Sequence, residues 1–416
     1  MIIFRLALKS LANRWLTALL TVIAIALSVM LFLGVEKIRN GARSSFANTI
    51  SGTDLIIGSR AGSVQLLLYS VFRIGNATAN INWQSYQDIA KRSEVAWAVP
   101  MSLGDSHKGY RVLGTTTDFF QHYKYRSKQQ LQFQSGAPFK GLLDTVIGAD
   151  VAKALGYKID TSVIIAHGLG ATSFVKHKDK PFKVVGILKS TGTPVDRTVF
   201  VSLQAIEAIH VGWQTGRRVN IPIEKLQELK LEPKSITAAL IGLKRKGTIF
   251  RLQRHINTYK PEPLSAILPG VALQELWSLV GTAETALAVV SLMVILTALL
   301  GMVTMILTTL NERRREIAIL RSVGARPHTI MGLLVSEAGF LTTLGVIAGT
   351  ISLYITLFLV RPVINASYGL YIEIAPLTMT ELGILVGICA SGFIVGLIPA
   401  IRAYGLSLAD GMLVRN

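Results

Sequence analysis

The side chains that most often perform catalysis or bind metals are few and scattered in this sequence of 416 residues. It contains seven His and one Cys, Cys389, and no group of them has the spacing of a zinc site. His167 and His177 flank a glycine-rich loop, where they either share a metal or simply face solvent. The sequences Gly-x4-Gly-Lys-Ser/Thr, His-Glu-x-x-His and Gly-x-Ser-x-Gly are all absent. We therefore expect a protein that is not an enzyme, binds no metal and holds no cofactor.

The most informative segment for function is Asn311-Glu-Arg-Arg-Arg-Glu-Ile-Ala-Ile-Leu-Arg-Ser-Val-Gly-Ala-Arg-Pro327. Its charged and apolar residues recur at intervals of three and four, which predicts a short amphipathic helix. Gly324 is placed to end this helix, and Pro327 prevents its continuation. The arginines alone are typical of an anchor beside a membrane span, but the apolar residues also predict docking in a groove of a partner protein. The candidate contact residues are Glu312, Arg313, Arg315, Glu316, Ile317, Leu320, Arg321, Val323 and Gly324.

A second candidate site is the turn Ser190-Thr-Gly-Thr-Pro194, which lies between two predicted strands. Gly192 permits a positive φ, Pro194 fixes the exit from the turn, and Asp196 and Arg197 follow. The simpler interpretation is a hairpin connection with a local ion pair. The alternative is a loop that is presented to a substrate or a partner.

The elements that position these residues begin with four long uncharged stretches. Half of the residues are hydrophobic and 16% are charged, which excludes a disordered chain, and a single Cys excludes a disulfide scaffold. Each stretch is long enough to cross a bilayer as a helix, for which about 20 apolar residues suffice. The four predicted spans are Leu16–Val35, Thr285–Leu310, Ala338–Val360 and Leu382–Ile401.

Positive charges in the short loops predict the orientation of these spans. Three cations precede the first span, five lie between the second and third, and Arg361 alone lies between the third and fourth. Both termini and the 2–3 loop are therefore predicted to be cytoplasmic. The first span is predicted to be an uncleaved anchor. Before it, Met1–Trp15 is either a helix in the membrane interface or a plain charged flank.

The region from Glu36 to Glu275 is predicted to be a large domain outside the membrane. Short β-like runs alternate with helical patterns there, which predicts a mixed α+β fold with its own core. The predicted strands include Val163–Ala166 and Phe182–Leu188, and the predicted helices include Val64–Ile74, Ala149–Leu155 and Ile223–Leu229. The region holds 32 Lys and Arg and 17 Asp and Glu, so most of the chain's formal charge of +19 lies outside the membrane. Such a surface either binds anionic lipid heads or an acidic protein, or is simply soluble. Nucleic acid is not expected as a partner.

Within the spans, three pairs of glycines are spaced four residues apart. These pairs allow helix backbones to approach closely, which predicts a tight bundle. Glu284 and Glu337 lie at span edges and are expected to be reached by water or headgroups, so the spans should lack the buried charges of an ion-coupled carrier. The candidate packing residues are Gly345, Gly349, Gly383, Gly387, Gly392 and Gly396.

The segment from Asn311 to Pro327 closely resembles the cytoplasmic signature of the FtsX-like permeases, the family of MacB, LolC, LolE and FtsX. The layout of one span, a large domain and three spans is similar too. Val146–Gly156 and Phe182–Leu188 resemble the MacB-type periplasmic core. Pro399–Ala403 and Ala409–Leu413 resemble the closing motif of the family. The resemblance covers nearly the whole chain.

This resemblance implies a permease subunit of a mechanotransmission-type (type VII) ABC transporter. The helix Glu312–Val323 would be the coupling helix, and it would dock on a separate cytoplasmic P-loop ATPase that binds ATP and Mg²⁺. Movement of the periplasmic domains would then drive export, efflux or lipoprotein release. The implied partners are a second permease copy or paralogue, a periplasmic adaptor or lipoprotein, and membrane lipids. The implied location is a bacterial inner membrane.

The predicted fold class is a membrane protein of four transmembrane helices with a large α+β extracytoplasmic domain inserted between the first and second. Two other functions stay open. One is an ATP-independent receptor or scaffold whose outer domain binds a ligand, and the other is a membrane-embedded enzyme. The predicted divisions are 1–35, 36–275, 276–310, 311–327, 328–360, 361–381 and 382–416.

Overall fold

The computed structural model describes residues 14–126, 128–168, 180–211, 229, 231–312, 319, 321–368 and 374–404. The chain divides into two compact units. We call the first the helical unit; it comprises Met1–Gly41, Gly281–Val363 and Glu373–Asn416. We call the second the sheet domain; it comprises Ala42–Val280 and Ile364–Ile372. The predicted helix Ile223–Leu229 and His177 lie outside the described residues, apart from Leu229 itself.

Long apolar helices form the helical unit. Within the described residues, four segments are long and apolar enough to cross a membrane: Trp15–Ser44, Pro269–Thr308, Pro327–Arg361 and Met379–Ala403. They contain three of the four stretches predicted from the sequence and cover the second, Thr285–Leu310, as far as Thr308, and the chain is a multi-pass membrane protein. The helices are α1 (Trp15–Thr49), α8 (Pro269–Glu312), α9 (Pro327–Tyr368), α10 (Met379–Val395) and α11 (Leu397–Tyr404).

The fourth span consists of two helices in succession. Helix α10 ends at Val395 and α11 begins at Leu397, with a turn at Gly396 between them. Pro399 has no backbone N–H to donate to the carbonyl of Val395, four residues earlier, so the regular helix cannot continue through this point.

The expectation that water or headgroups reach the span-edge carboxylate of Glu337 is wrong. Helix α9 begins at Pro327, so Glu337 lies almost three turns inside it, and only 4% of the residue is exposed. Leu333, Leu334 and Ala338 beside it are also buried. The helical unit therefore does contain buried ionisable groups.

The sheet domain holds fifteen strands among its described residues. The strands are β1 (Leu55–Ser59), β2 (Ile81–Asn82), β3 (Val95–His107), β4 (Tyr110–Thr115), β5 (Lys124–Tyr125), β6 (Gln129–Gln130), β7 (Phe133–Gly136), β8 (Asp144–Ile147), β9 (Ser162–Val163), β10 (Ala166–His167), β11 (Phe182–Leu188), β12 (Thr198–Ser202), β13 (Ser235–Ile236), β14 (Ala238–Leu243) and β15 (Leu264–Ile267).

Six short α-helices accompany these strands. They are α2 (Ser63–Leu67), α3 (Trp83–Ala90), α4 (Asp118–His122), α5 (Ala149–Leu155), α6 (Leu203–His210) and α7 (Ile249–Asn257). The predicted helix Val64–Ile74 is α2 followed by a π-helical turn at Leu68–Phe72, and it ends where Arg73 takes a φ of +61°.

One mixed sheet organises the domain. Its strand order is β15-β1-β14-β3-β4-β12-β8-β11-β7, with β10 added to β3 and β9 added to β11. The pairs β4–β12 and β8–β11 are parallel, and the other pairs of this sheet are antiparallel. The α+β class predicted from the sequence is confirmed.

Alternating side chains of the strands build a core on each face of the sheet. Ile56 and Phe200 belong to one core, together with aromatic residues of α4. Their neighbours Leu55 and Val199 point to the opposite face, where helices α3, α5, α6 and α7 cover the sheet. This division follows from the two-residue period of a β-strand.

Two local predictions in this domain are wrong. The turn Ser190–Pro194 does not join a hairpin, because β8 lies between β11 and β12 and pairs with both. The predicted strand Val163–Ala166 is instead two strands: β9 pairs with β11, and β10 pairs with β3. In both cases the local pattern indicated extended chain but could not identify its partner.

Candidate coupling site

The loop between α8 and α9 has the turn that the sequence predicts at its end. Ile319, Arg321 and Ser322 are helical, and the N–H of Val323 donates to the carbonyl of Ile319 at 3.2 Å. Gly324 follows with a φ of +96°, and its N–H donates to the carbonyl of Arg321 at 3.0 Å. Pro327 is the first residue of α9, a position where its missing N–H costs nothing.

The described apolar side chains of this loop are exposed. Val323 is 84% exposed and Ile319, four residues earlier, is 56% exposed. Arg326, beside them, is also exposed. Of the other predicted contact residues, Arg313, Arg315, Glu316, Ile317 and Leu320 lie outside the described residues, and the side chain of Glu312 is not described.

Gly345 and Gly349 of α9 lie where helix α1 crosses. A Cβ at Gly349 would be 2.5 Å from the carbonyl oxygen of Ala26, and one at Gly345 would be 2.6 Å from Cγ2 of Ile25. Real Cβ atoms do not approach this closely, so the two helices can pack at this distance only with glycine at both positions.

The glycines of the fourth span fall into two groups. A Cβ at Gly392 would be 2.2 Å from Oγ1 of Thr342, and one at Gly396 would be 2.7 Å from Cβ of Ala338, so both face α9. A Cβ at Gly383 or Gly387 would have no atom of another helix within 4 Å among the described residues. This first pair therefore makes no helix contact within the described part of the chain.

A buried ion pair between α1 and α10 was not predicted from the sequence. Nζ of Lys37 lies 2.9 Å from Oε2 of Glu381, and the two residues are 7% and 1% exposed. The same ammonium donates to the carbonyls of Ala375 and Pro376 at 3.2 and 2.9 Å, and Tyr354 Oη of α9 donates to Ala375 at 3.0 Å. One signal was present: Thr378-x-x-Glu381 forms a capping box at the start of α10.

The predicted turn at Ser190–Pro194 is held from inside by Asp196. Its carboxylate accepts hydrogen bonds from the N–H groups of Thr191 and Gly192 at 2.8 Å each, and from Oγ of Ser190 at 3.0 Å. Burial raises the pKa of the Asp196 carboxyl, and the backbone hydrogen bonds oppose that rise. Gly192 has the predicted positive φ, +70°.

The next residues join this turn to its neighbours. Pro194 begins a 3₁₀ turn, and the guanidinium of Arg197 lies 5.6 Å from the ring centroid of Tyr110. A Cβ at Gly148 would be 2.3 Å from the carbonyl oxygen of Asp196, so the start of α5 packs directly on this turn. The turn is therefore a packed structural element of the sheet domain.

No group of three or more metal-binding side chains occurs within the part of the chain that the structure describes. His107 is a buried histidine there, and both of its ring nitrogens have hydrogen-bond partners. Its Nδ1 lies 2.7 Å from the carbonyl of Ile164, its Nε2 lies 3.0 Å from Oη of Tyr157, and burial lowers its pKa. The side chain of His167 is not described.

Comparison with known families gives two matches. Residues 18–240 match the MacB-like periplasmic core domain, and residues 288–408 match the FtsX-like permease C-terminal domain. The first match alone covers more than half of the chain. The second begins within α8 and includes the whole loop to α9.

Similar proteins include the macrolide export ATP-binding/permease protein MacB of Nitrobacter winogradskyi, which is 24% identical over 98% of this chain and 59% of its own. An uncharacterized ABC transporter permease of Methanocaldococcus jannaschii is 23% identical over 54% of this chain and 52% of its own. The chain thus spans between half and three fifths of the length of these two relatives.

Two solved structures are similar to part of this chain. The periplasmic region of MacB from Actinobacillus actinomycetemcomitans is 9% identical, with a TM-score of 0.34 over 55% of this chain and 94% of that one. The extracellular domain of the noncanonic ABC-type transporter YknZ from Gram-positive bacteria is 12% identical, with a TM-score of 0.30 over 52% of this chain and 99% of that one.

Proposed function

Because the chain belongs to the family of FtsX-like permeases with a MacB-like periplasmic core domain, we propose that it is the permease subunit of a mechanotransmission-type ABC transporter. In this proposal a separate cytoplasmic ATPase hydrolyses ATP, and the permease converts the motion of that ATPase into movement of its own sheet domain. The work done is export, efflux or lipoprotein release. A second copy or a paralogue completes the permease pair in the inner membrane.

The exposure of Val323 is the observation that supports this function best. The side chain is 84% exposed at a helix end, beside an exposed arginine and outside the apolar spans. The five arginines of this loop support a cytoplasmic position by the positive-inside rule. An apolar side chain that an ordered turn holds in water is typical of a surface that docks into a groove of a partner protein. ATP and Mg²⁺ belong to the ATPase that would supply this groove.

The glycine contacts of α9 support a lever mechanism. Gly345 and Gly349 bring α9 against α1, and Gly392 and Gly396 bring the fourth span against α9. Close packing of this kind resists sliding, because a glycine has no side chain that could move aside to let the neighbouring helix pass. A force applied to the loop that precedes α9 would therefore move α1, α9 and the fourth span together.

Affinity purification of the tagged chain from mild detergent tests the proposal directly. A Ser322→Cys variant in a Cys389→Ser background allows a crosslink to be made at the exposed loop, since Cys389 is the one native thiol. We expect mass spectrometry to identify a P-loop ATPase in the crosslinked product. If no ATPase is recovered even after crosslinking, the loop does not couple to one, and the sheet domain has to be studied as a receptor.

A further inference from the structure

A strongly basic surface surrounds helix α7 in the sheet domain. We call it the α7 surface and define it by exposed side chains that lie on α7 or immediately before it. They are Lys244, Arg245, Lys246, Phe250, Arg251 and Arg254. From Lys244 to Pro261 the sequence has six Lys and Arg and no Asp or Glu. A positive field of this density attracts an anionic partner.

The fold presents this surface rigidly. Leu252 and Ile256 are fully buried against the sheet, whereas Phe250, Arg251 and Arg254 of the same helix are exposed. Nη1 of Arg92, at the end of α3, lies 3.0 Å from Nε2 of His255, and Oη of Tyr259 donates to Asp88 at 2.8 Å. These two contacts join the C-terminal end of α7 to α3, so the outward face of α7 is fixed before any partner arrives.

The acids nearest to this surface are already engaged. Glu94 accepts from Nη2 of Arg92 at 3.2 Å, and Nε of Arg251 is 3.9 Å away. Asp88 accepts from Tyr259, and Glu262 accepts from the backbone N–H of Asn82 at 3.0 Å. Within the described part of the chain, none of these carboxylates forms a salt bridge with Lys244, Arg245, Lys246 or Arg254, so an external anion can serve as their counterion.

The exposed aromatic side chain of Phe250 distinguishes this surface from one that carries only charged side chains. The residue is 69% exposed and lies one turn before Arg254 on the outward face. A membrane-inserting helix needs an apolar face of several residues, but the apolar face of α7 is buried in the domain. Aromatic residues and arginine are instead the residue types that are enriched in protein–protein interfaces.

We propose that the α7 surface binds an acidic segment of another extracytoplasmic protein, with Phe250 covered by an apolar residue of that segment. Carboxylates of the partner pair with Lys246 and Arg254, and the apolar contact at Phe250 fixes the position of the segment. This binding does not require the ATPase to dock, so the two proposals can fail separately.

Peptide binding to the full chain in detergent micelles tests this proposal. The probes are a fluorescent peptide of alternating Glu and Leu, an analogue with Gln in place of Glu, and a third with Ser in place of Leu. We expect the first peptide to bind about tenfold or more tightly than the other two, and more weakly as salt rises. Equal binding of all three, or binding of none, would overturn the proposal.

Matched variants locate the binding. Lys246→Glu with Arg254→Glu should weaken binding of the Glu-Leu peptide about tenfold or more, and Phe250→Ala should do the same. The control, Lys153→Glu with Lys158→Glu, makes an equal charge change on exposed residues at α5 and should change the affinity by about twofold or less. An equal loss in the control pair means non-specific attraction and refutes the site. If vesicles containing phosphatidylglycerol bind through these residues and the peptide does not, the α7 surface binds lipid and the proposal is overturned.

Discussion

The ammonium of Lys37 and the carboxylate of Glu381 form an ion pair that is almost wholly buried, with 2.9 Å between Nζ and Oε2. The ammonium also donates to two carbonyls just before α10, and Tyr354 of α9 donates to one of them. Three spans therefore meet at this cation. Near the end of a span, a lysine is usually free to extend toward water, but here the chain ahead of α10 encloses it.

Lys37→Met should destabilise the helical unit by about 3–5 kcal/mol, because it leaves the Glu381 carboxylate buried without its counterion. Lys37→Met combined with Glu381→Leu should recover most of this loss, since neither charge then remains. Unfolding in mixed micelles, analysed as a double-mutant cycle, measures the coupling. The control is the half-exposed Arg39–Glu36 pair on the same helix, for which we expect about 0.5 kcal/mol. Equal coupling in the two pairs would contradict this account.

Gly349→Ala should cost about 1–3 kcal/mol, because the new methyl group would lie 2.5 Å from a backbone oxygen of α1 that cannot move aside alone. Gly387→Ala is the matched control: it adds the same group to a helix position with open space around it, and its effect should stay within about 0.5 kcal/mol. Unfolding in mixed micelles compares the two. A tolerated alanine at Gly349 would show that α1 and α9 pack less closely than described.

Val323→Glu should weaken binding of the partner ATPase about tenfold or more, because the groove that receives the valine would have to bury a charge. Leu320→Glu and Ile317→Asp are expected to act in the same way. The measurements are ATPase co-purification and transport-coupled ATP hydrolysis. Val271→Glu, on an exposed apolar residue of the sheet domain, is the control and should leave both unchanged. If Val323→Glu keeps full ATPase co-purification and coupled ATP hydrolysis, the loop is not part of the interface with the ATPase.

Asp196→Ala should destabilise the sheet domain by about 3 kcal/mol. The substitution leaves the N–H groups of Thr191 and Gly192 buried without an acceptor. Asp160→Asn removes the negative charge from an exposed pair with Lys183, and asparagine tolerates the φ of +72° at this position, so this control should leave the unfolding midpoint unchanged. Tryptophan fluorescence during thermal unfolding reports on the domain through Trp83 and Trp97. A small effect at Asp196 would mean that water replaces the carboxylate.

The stability of the sheet domain should fall on acidification through the range in which histidine titrates. Burial lowers the pKa of His107 below its ordinary value of about 6.5, so the unfolded chain binds this proton more readily than the folded one. The contribution of His107 is therefore complete above about pH 6.5 and is lost as the pH falls through its folded value. His107→Gln should flatten the pH dependence of the unfolding midpoint, whereas the exposed His255→Gln should retain it.

Local pattern was enough to predict elements bounded by strong signals. Helix Ala149–Leu155 and strand Phe182–Leu188 were predicted to the residue. The helix lies between Gly148 and Gly156, and the second of these takes the positive φ that ends a helix. Strand β15 was missed, since its four residues follow directly on a stretch with two prolines and show no long alternation.

Partners distant in sequence could not be predicted. The pairing of β8 between β11 and β12 depends on the order of strands in space, which no local period encodes. The Lys37–Glu381 contact joins residues 344 positions apart, and each residue alone has the appearance of an ordinary charge at a span edge. The exposure of Val323 agrees with the predicted apolar stripe of the loop, whereas the role of that stripe stays a prediction.

The strand order has a consequence for how this protein is made. Strand β1 pairs with β14 and β15, so Leu55 has Ile241 as its partner and Ile56 has Ile267. As the chain emerges, almost two hundred residues have to be synthesised before the first strand gains either neighbour. Until then, the hydrogen-bonding groups on both edges of β1 are unpaired and its aliphatic side chains are exposed, which makes this segment prone to aggregation. Completion of the sheet coincides with synthesis of α8, so folding of the domain and insertion of the second span follow one another within a few residues.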